Sequence, residues 1–256
     1  MRSKLIILGC GSSIGVPRID GVWGNCKKNE KKNIRTRCCA LIVRGSNTIL
    51  IDVSPDIRHQ LLSNKVKNIF SVIFTHEHAD QTNGLFELRP FFWKNKKKIP
   101  VYGSSRTIKA LRSKYTFCFT PKDGYKPIMK ANIIKNQFKI KKKNKVLPVK
   151  AFDVVHGMIK ATGFLFKKIA YISDCNKIPK ESFKNLYNLE YLVLDCLKMD
   201  KHPSHFNYHD ALKLVKLVKP KKTILTNLHT DLDYDYLKKK LPSNVSPAYD
   251  GLSFNF

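Results

Sequence analysis

The run Phe74-Thr75-His76-Glu77-His78-Ala79-Asp80 sets two imidazoles and a carboxylate at alternate positions directly after an apolar segment. In extended backbone, alternate side chains share a face, so His76, His78 and Asp80 point one way and Glu77 the other, as surface or as support behind the ligands. Neutral imidazole and carboxylate suit zinc, and equally manganese or iron. Three more segments have the same form. His156 follows the apolar stretch 151–155, Asp174 follows Tyr171-Ile172-Ser173, and His229 follows Leu225-Thr226-Asn227-Leu228. Any one of them alone would read as an ordinary loop or core polar group. Four strand ends that each deliver His or Asp describe a convergent site for one or two divalent ions, because ligands of open α/β sheets gather at the carboxyl ends of strands.

Other motifs carry less. Gly9-Cys10-Gly11-Ser12-Ser13-Ile14-Gly15 has the density of a dinucleotide-binding turn, but Pro17, Gly21 and Gly24 interrupt any helix after it, and a pyrophosphate needs that helix N-terminus. It reads instead as a tight loop passing close to the metal site. Cys26 has no partner cysteines nearby for a separate structural zinc, and Cys38 and Cys39, just before a strand, read as packing residues.

Taken together, these residues resemble the metallo-β-lactamase superfamily, whose H-x-H-x-D-H loop and later His, Asp and His occur in this order at comparable spacing. Leu8-Gly9-Cys10-Gly11-Ser12-Ser13-Ile14-Gly15-Val16-Pro17, Arg35-Thr36-Arg37-Cys38-Cys39-Ala40, His202-Pro203-Ser204-His205, His229-Thr230-Asp231-Leu232-Asp233-Tyr234 and Pro247-Ala248-Tyr249-Asp250-Gly251 resemble the branch that contains the phosphoribosyl cyclic phosphate phosphodiesterase of phosphonate breakdown. The likeness runs through nearly the whole chain and implies a four-layer αββα sandwich with the site at one edge.

The resemblance also implies roles. His76, His78 and His156 would hold a first metal, Asp174 would bridge, and Asp80 and His229 would hold a second. The chain departs from the family at Gln81, where the motif usually has a further His. A neutral amide oxygen is a poorer zinc ligand than imidazole, which implies a weakened second site. Asp80 would orient the nucleophile. His205, just before the helix cap expected at Asn207, would meet the scissile phosphate as acid or anion binder; His202 is a lesser candidate and His209 reads as surface. The implied reaction is hydrolysis of a small cyclic or linear phosphodiester through a metal-activated hydroxide. A tRNA 3′-processing-type or other RNA endonuclease would use the same site, although no glycine- and proline-rich arm for gripping tRNA is evident. A non-catalytic binding or cofactor-biosynthesis accessory protein would follow if Gln81 abolished the second metal. β-Lactam or thioester hydrolysis is disfavoured by where the likeness lies.

The elements that must position these residues alternate along the chain, as in an α/β protein. Strands are expected over 5–8, 40–43, 48–51, 71–74, 101–102, 149–154, 163–166, 169–172, 191–194 and 223–225. Ser54-Pro55 predicts a capped helix over 56–62, and Asn207 predicts a helix over 208–219 that Pro220 stops. The segments 94–98 and 122–145 are lysine-rich with weak periodicity and read as surface insertions or a mobile lid. The whole span 1–256 reads as one domain, with no repeat or linker.

The N-terminus reads as a first strand rather than a signal peptide, and no run has the length of a membrane span. Seven scattered cysteines suggest neither a disulfide framework nor a ribbon, which points to a reducing compartment, the cytoplasm. The net charge of +29 comes from 39 Lys and nine Arg. Phosphate and base readers lean on the arginine fork, so this lysine excess reads as solvated surface that would steer a small anionic substrate, with nucleic acid the lesser candidate partner. The oligomeric state is left open, a homodimer included.

Overall fold

The computed structural model describes residues 3–45, 47–121, 124–142 and 145–256. Among these residues, β1 (Lys4–Gly9), β2 (Cys39–Arg44), β3 (Asn47–Ile51), β4 (Ser71–Ile73), β5 (Ile99–Gly103) and β6 (Met129–Ile133) lie side by side in chain order. A second sheet takes β7 (Gln137–Lys142), β8 (Lys145–His156), β9 (Ile159–Phe166), β10 (Ile169–Ile172), β11 (Tyr191–Asp195), β12 (Lys222–Thr226) and β13 (Val245–Pro247), and β14 (Ser253–Asn255) returns to pair with β1. Both sheets begin antiparallel and turn parallel: β3 to β6 in the first, β10 to β13 in the second. Parallel neighbours need crossovers, and each crossover starts from a strand's carboxyl end. Those ends therefore collect along one rim of each sheet, and the candidate ligands sit on them.

Helices α1 (Ile57–Ser63), α2 (Ala79–Thr82), α3 (Arg89–Asn95), α4 (Ser105–Lys114) and α5 (Thr116–Phe119) belong to the first half, and α6 (Tyr208–Val218) and α7 (Tyr234–Lys240) to the second. Alternating side chains make the four layers. Leu5, Ile7, Ile49 and Ile51 meet Phe164, Tyr171 and Val193 between the sheets, while Leu8 and Leu50 pack toward α1 and α4, and Leu192 and Leu194 toward α6 and α7. Because central strands are buried on both faces, they read in sequence as continuous apolar runs. The αββα sandwich is therefore as expected. No helix among the described residues is long and apolar enough to cross a membrane.

The lysine-rich stretch 122–145 is not an insertion or lid. Residues 122, 123, 143 and 144 lie outside the described residues, but the rest supplies β6, β7 and the start of β8. In β7, Lys139 and Lys141 alternate with Phe138 and Ile140, which enter the inter-sheet core, so the period-two signal is real but masked by charge. Likewise 94–98 closes α3 through a left-handed Lys96 and leads straight into β5. Ser54 is not the N-cap of α1: its Oγ accepts from the Asp56 amide within the preceding turn, and the helix starts at Ile57, one residue later than expected, with Asp56 at its N-cap. Asn207 caps α6 as expected, its side chain accepting from the Asp210 amide.

One buried cation ties the two halves together next to the rim. Arg35 is 1% exposed, and its guanidinium donates to Asn33 Oδ1 and to the carbonyls of Leu232 and His229 at 3.0, 2.7 and 3.3 Å. It thereby fixes the turn that carries His229. Bonds from a charged donor are worth about 1.5–3 kcal/mol each, and a buried carbonyl left unmatched is costly. Replacing Arg35 with Met should lower stability by about 3 kcal/mol or more, measured as a drop in the urea midpoint, with faster amide exchange across 228–234; an unchanged midpoint would remove this anchoring role.

Candidate metal centre

Five strand ends build the site. The end of β4 leads into Thr75, His76 and His78; β8 ends on His156; β10 runs into Ser173 and Asp174; β11 ends on Asp195; and β12 leads to Asn227 and His229. One potential ligand atom from each of His76, His78 and His156 lies within 4.8 Å of the others, and so do those of His156, Asp174 and His205. The rings of the first trio are mutually edge-on at centroid separations of 4.5 to 5.0 Å. His78 and His156 open on a cavity of about 480 Å³ that Asp80, Asp174, His202, His205, Asn227 and His229 also line, with His76 buried behind them.

The imidazole protons are arranged for metal binding. His156 Nδ1 lies 2.8 Å from the Ser204 carbonyl, which can only accept, so the proton sits on Nδ1. Its Nε2 lies 3.2 Å from His78 Nδ1. His76 Nδ1 lies 2.9 Å from Thr75 Oγ1, and that hydroxyl is 2.9 Å from Asp52 Oδ2. Burial pushes the Asp52 carboxyl well above the usual carboxylate range, against the Thr75 amide and hydroxyl that favour its charge; when it is ionised the Thr75 hydroxyl donates to it, His76 Nδ1 donates to the hydroxyl oxygen, and Nε2 keeps the lone pair. His76 Nε2 is buried with no hydrogen-bond partner among the described residues. Burial lowers the His76 pKa from 6.5 to about 4, which keeps the ring neutral and ligating at physiological pH. An orphaned, dry imidazole nitrogen facing two more imidazoles fits a divalent cation, zinc above all.

Carboxylates complete the ring of charge. Gln81 is fully buried, and its Nε2 donates to Asp80 Oδ2 at 3.2 Å and to Asp174 Oδ2 at 3.3 Å. Burial, and the Asp174 charge after it, push Asp80 up to about 6. Asp174 is held below the usual range in spite of burial, because the imidazoles of His76, His205 and His156 favour its charge. Asp195 accepts from His205 Nδ1 at 2.8 Å and from the Cys175 amide. Burial opposes charge on His205, but the Asp195 carboxylate outweighs it and raises the imidazole to about 9. Asn227, held at φ +62°, donates to Ser173 O and Asp195 Oδ1.

Of the residues singled out in the sequence, His76, His78, His156 and Asp174 converge, and His205 joins them rather than standing apart. Asp80 reaches the cluster through Gln81. His229 lines the cavity with Nδ1 3.1 Å from Asp231 Oδ1, outside both ligand groups. Glu77 turns away and accepts from Arg106 Nε and Thr107 Oγ1, pinning the loop to α4. Asp52 and Asp195 were missed. Each follows an apolar strand in the same pattern as Asp174, so the signal was present in Leu50-Ile51-Asp52 and Val193-Leu194-Asp195.

The family model described as "Beta-lactamase superfamily domain" matches residues 47–227. An octanoyltransferase of Porphyromonas gingivalis is 29% identical over 255 residues, or 97% of this chain and 51% of that protein, so the chain spans about half the length of this curated relative. Among solved structures, a diphosphatase of the PhnP family superposes with a TM-score of 0.91 at 28% identity, covering 100% of this chain and 98% of the other. Zn(2+)-bound PqqB from Methylobacterium extorquens gives 0.78 at 16% identity over 99% and 100%. The second likeness concerns the fold alone.

His78 is the exposed member of the imidazole trio, so removing it disturbs the core least. His78→Ala should lose most of the metal found in protein purified without chelator, by mass spectrometric metal analysis, with the circular dichroism spectrum unchanged. Undiminished metal in that variant would show the trio is not the ligand set.

Proposed function

The chain belongs to the beta-lactamase superfamily, and from that premise we propose that it is a metal-dependent phosphodiesterase acting on a small anionic cyclic or linear phosphodiester. The observation that carries this reading is the Asp195–His205 pair, set beside His156 and Asp174 on the wall of the ligand cavity: ring centroids of His156 and His205 are 4.6 Å apart. Cleaving a phosphodiester gathers charge on the phosphoryl oxygens and then on a leaving alkoxide. A site that puts a protonated imidazole beside a cation-binding cluster answers both needs. The cavity of about 480 Å³ suits a small substrate.

A divalent cation, when bound, supplies Lewis acidity that lowers the pKa of water toward neutrality and polarises a phosphoryl oxygen. His76, His78 and His156, with Asp174, would hold it; Asp80, Asp174 and His229 would hold a second. Zinc is favoured by the imidazoles, with manganese and iron compatible. Around that centre, Asp80 orients the attacking water and accepts from it, and His205 donates its proton to the leaving oxygen while Asp195 fixes its ring. Acyl transfer through a thiol has less support, because all seven cysteines are buried and those nearest the site, Cys38 and Cys175, are pushed well above neutrality by burial. The unpaired thiols support a reducing, cytoplasmic setting, and the shared inter-sheet core supports reading 1–256 as one domain.

Gln81 lies between the two carboxylates that a second ion would join, and its amide already satisfies them. The first ion should therefore bind much more tightly than the second. Calorimetric titration of the metal-free chain should give one strong zinc site, and Gln81→His should raise the affinity of the weaker one; no gain would mean that position 81 does not face the second ion.

The metal-loaded chain should hydrolyse bis(p-nitrophenyl) phosphate. His205→Ala should cost about 10²- to 10⁴-fold in rate with metal content intact. Asp195→Asn tests the same step through pH. His205 carries its proton up to about pH 9 because of Asp195; without the carboxylate its pKa falls, so the basic limb of the rate profile should move to lower pH. Metal and rate lost together in His205→Ala would make His205 a ligand, and inert phosphodiesters with thioesters or lactams opened would overturn the reaction class.

A further inference from the structure

Just beyond the metal loop, the chain turns a cluster of aromatic rings outward. Phe86, Trp93 and Phe117 are 38%, 50% and 42% exposed. They form one patch. Phe86 and Phe117 meet edge-on at 5.2 Å between centroids, and the Arg89 guanidinium carbon lies 4.4 Å from the Phe86 centroid and 4.6 Å from that of Trp93. The patch is braced rather than loose: Lys114 Nζ and Tyr115 OH both donate to Asn83 Oδ1, at 2.6 and 2.8 Å, joining the end of α4 to the turn after α2. Asn83 stands three residues after Asp80, so the face begins beside the cavity.

Its charge is one-sided. Between Leu88 and Pro121 the chain has nine Lys or Arg and no Asp or Glu, with Glu87 the acidic residue at the boundary and Arg106 committed to Glu77. Exposed large aromatics on a soluble face need a partner. A second copy of the same face would set like charges against each other, which costs affinity, whereas a polyanion is attracted. Rigid rings interleaved with cations are the combination that holds single strands, since every base has a stackable face and every phosphate a charge to neutralise.

We propose that the face formed by Phe86, Arg89, Trp93 and Phe117 binds single-stranded nucleic acid, stacking bases on the rings and neutralising phosphates with Arg89, Lys94 and Lys114. This site is separate from the metal ligands and stands whichever ester the cavity hydrolyses. A chain with a +29 charge attracts polyanions through diffuse lysines as well, so the discriminating feature is the rings.

Fluorescence anisotropy with a fluorescein-labelled twelve-residue oligothymidylate and the full chain as purified, metal retained, tests this. Phe86→Ala and Trp93→Ala should each weaken binding by about 5- to 100-fold, as loss of a stacked base does. Trp93→Phe, which keeps a ring, should bind close to wild type, and so should a variant lacking Lys213 and Lys216 on α6 in the opposite helical layer. Affinity should also fall by about 20-fold between 50 and 200 mM potassium chloride, as counterion release from three phosphates neutralised on a single strand requires. Two results would overturn the proposal: alanine variants of both rings that bind like wild type while the α6 lysine variant does not, or light scattering that shows a dimer dissociated by Trp93→Ala with oligonucleotide affinity unchanged, which would make the face a self-interface.

Discussion

Asp80 and Asp174 approach a single amide group, that of Gln81, on the wall of the cavity, with the imidazoles of His76, His78 and His156 alongside. Like charges so placed repel strongly at low dielectric, and each buried carboxylate also gives up its hydration. Such an arrangement persists only if donors or a cation compensate it and the surrounding backbone cannot relax. Much of the architecture serves the second condition. The ligands stand on ends of strands whose bodies are buried on both faces, so moving one ligand would mean shifting a strand within both an inter-sheet and a helix-facing core.

Behind the ligands, a second set of groups decides which nitrogen carries each proton. Asp52 acts on His76 through Thr75, the Ser204 carbonyl acts on His156, and Asp195 acts on His205. These partners differ in kind, and so do the results. Burial leaves His76 neutral at physiological pH, the Ser204 carbonyl holds a proton of His156 on Nδ1, and a carboxylate leaves His205 cationic. One residue type thus takes different proton arrangements within a few ångströms. Two residues at this rim, Asp52 and Asn227, take left-handed φ of 63° and 62°, and Asp and Asn tolerate that conformation through their short polar side chains. Each turns the chain sharply as it leaves a strand, which brings a polar side chain back over the strand end.

The large positive charge does not act in one way across the surface. Beside the site, Arg35 is matched to carbonyls and Arg37 to Asp56. On the edge strand β7, lysines mark the solvent side of an alternating pattern and keep the edge from pairing with other chains. Around α3 to α5, cations surround exposed rings instead of a sheet edge. Equal numbers of lysines therefore mean solubility in one place and a docking surface in another, and only their neighbours distinguish the two.

The metal loop and the later His and Asp were legible in the sequence because a strand end is a short, local pattern: an apolar run followed by a ligating side chain. The αββα layering was legible too, through the resemblance and through continuous apolar runs. Edge strands β6 and β7 were not, because Lys139 and Lys141 flank Ile140 so closely that composition outweighed alternation. Nor could spacing tell that Asp52 and Asp195 stand behind the imidazoles while Asp174 stands among them, since all three end a strand in the same way. That distinction depends on which strands are neighbours and on which side of the rim each end emerges. Pairing of β3 with β4 sets Asp52 under Thr75, and pairing of β10 with β11 and of β11 with β12 brings Asp195 to His205 and Asn227. Residue type and local order fix what a side chain can do; the partner that sets its charge comes from a distant part of the chain, and only folding brings it there.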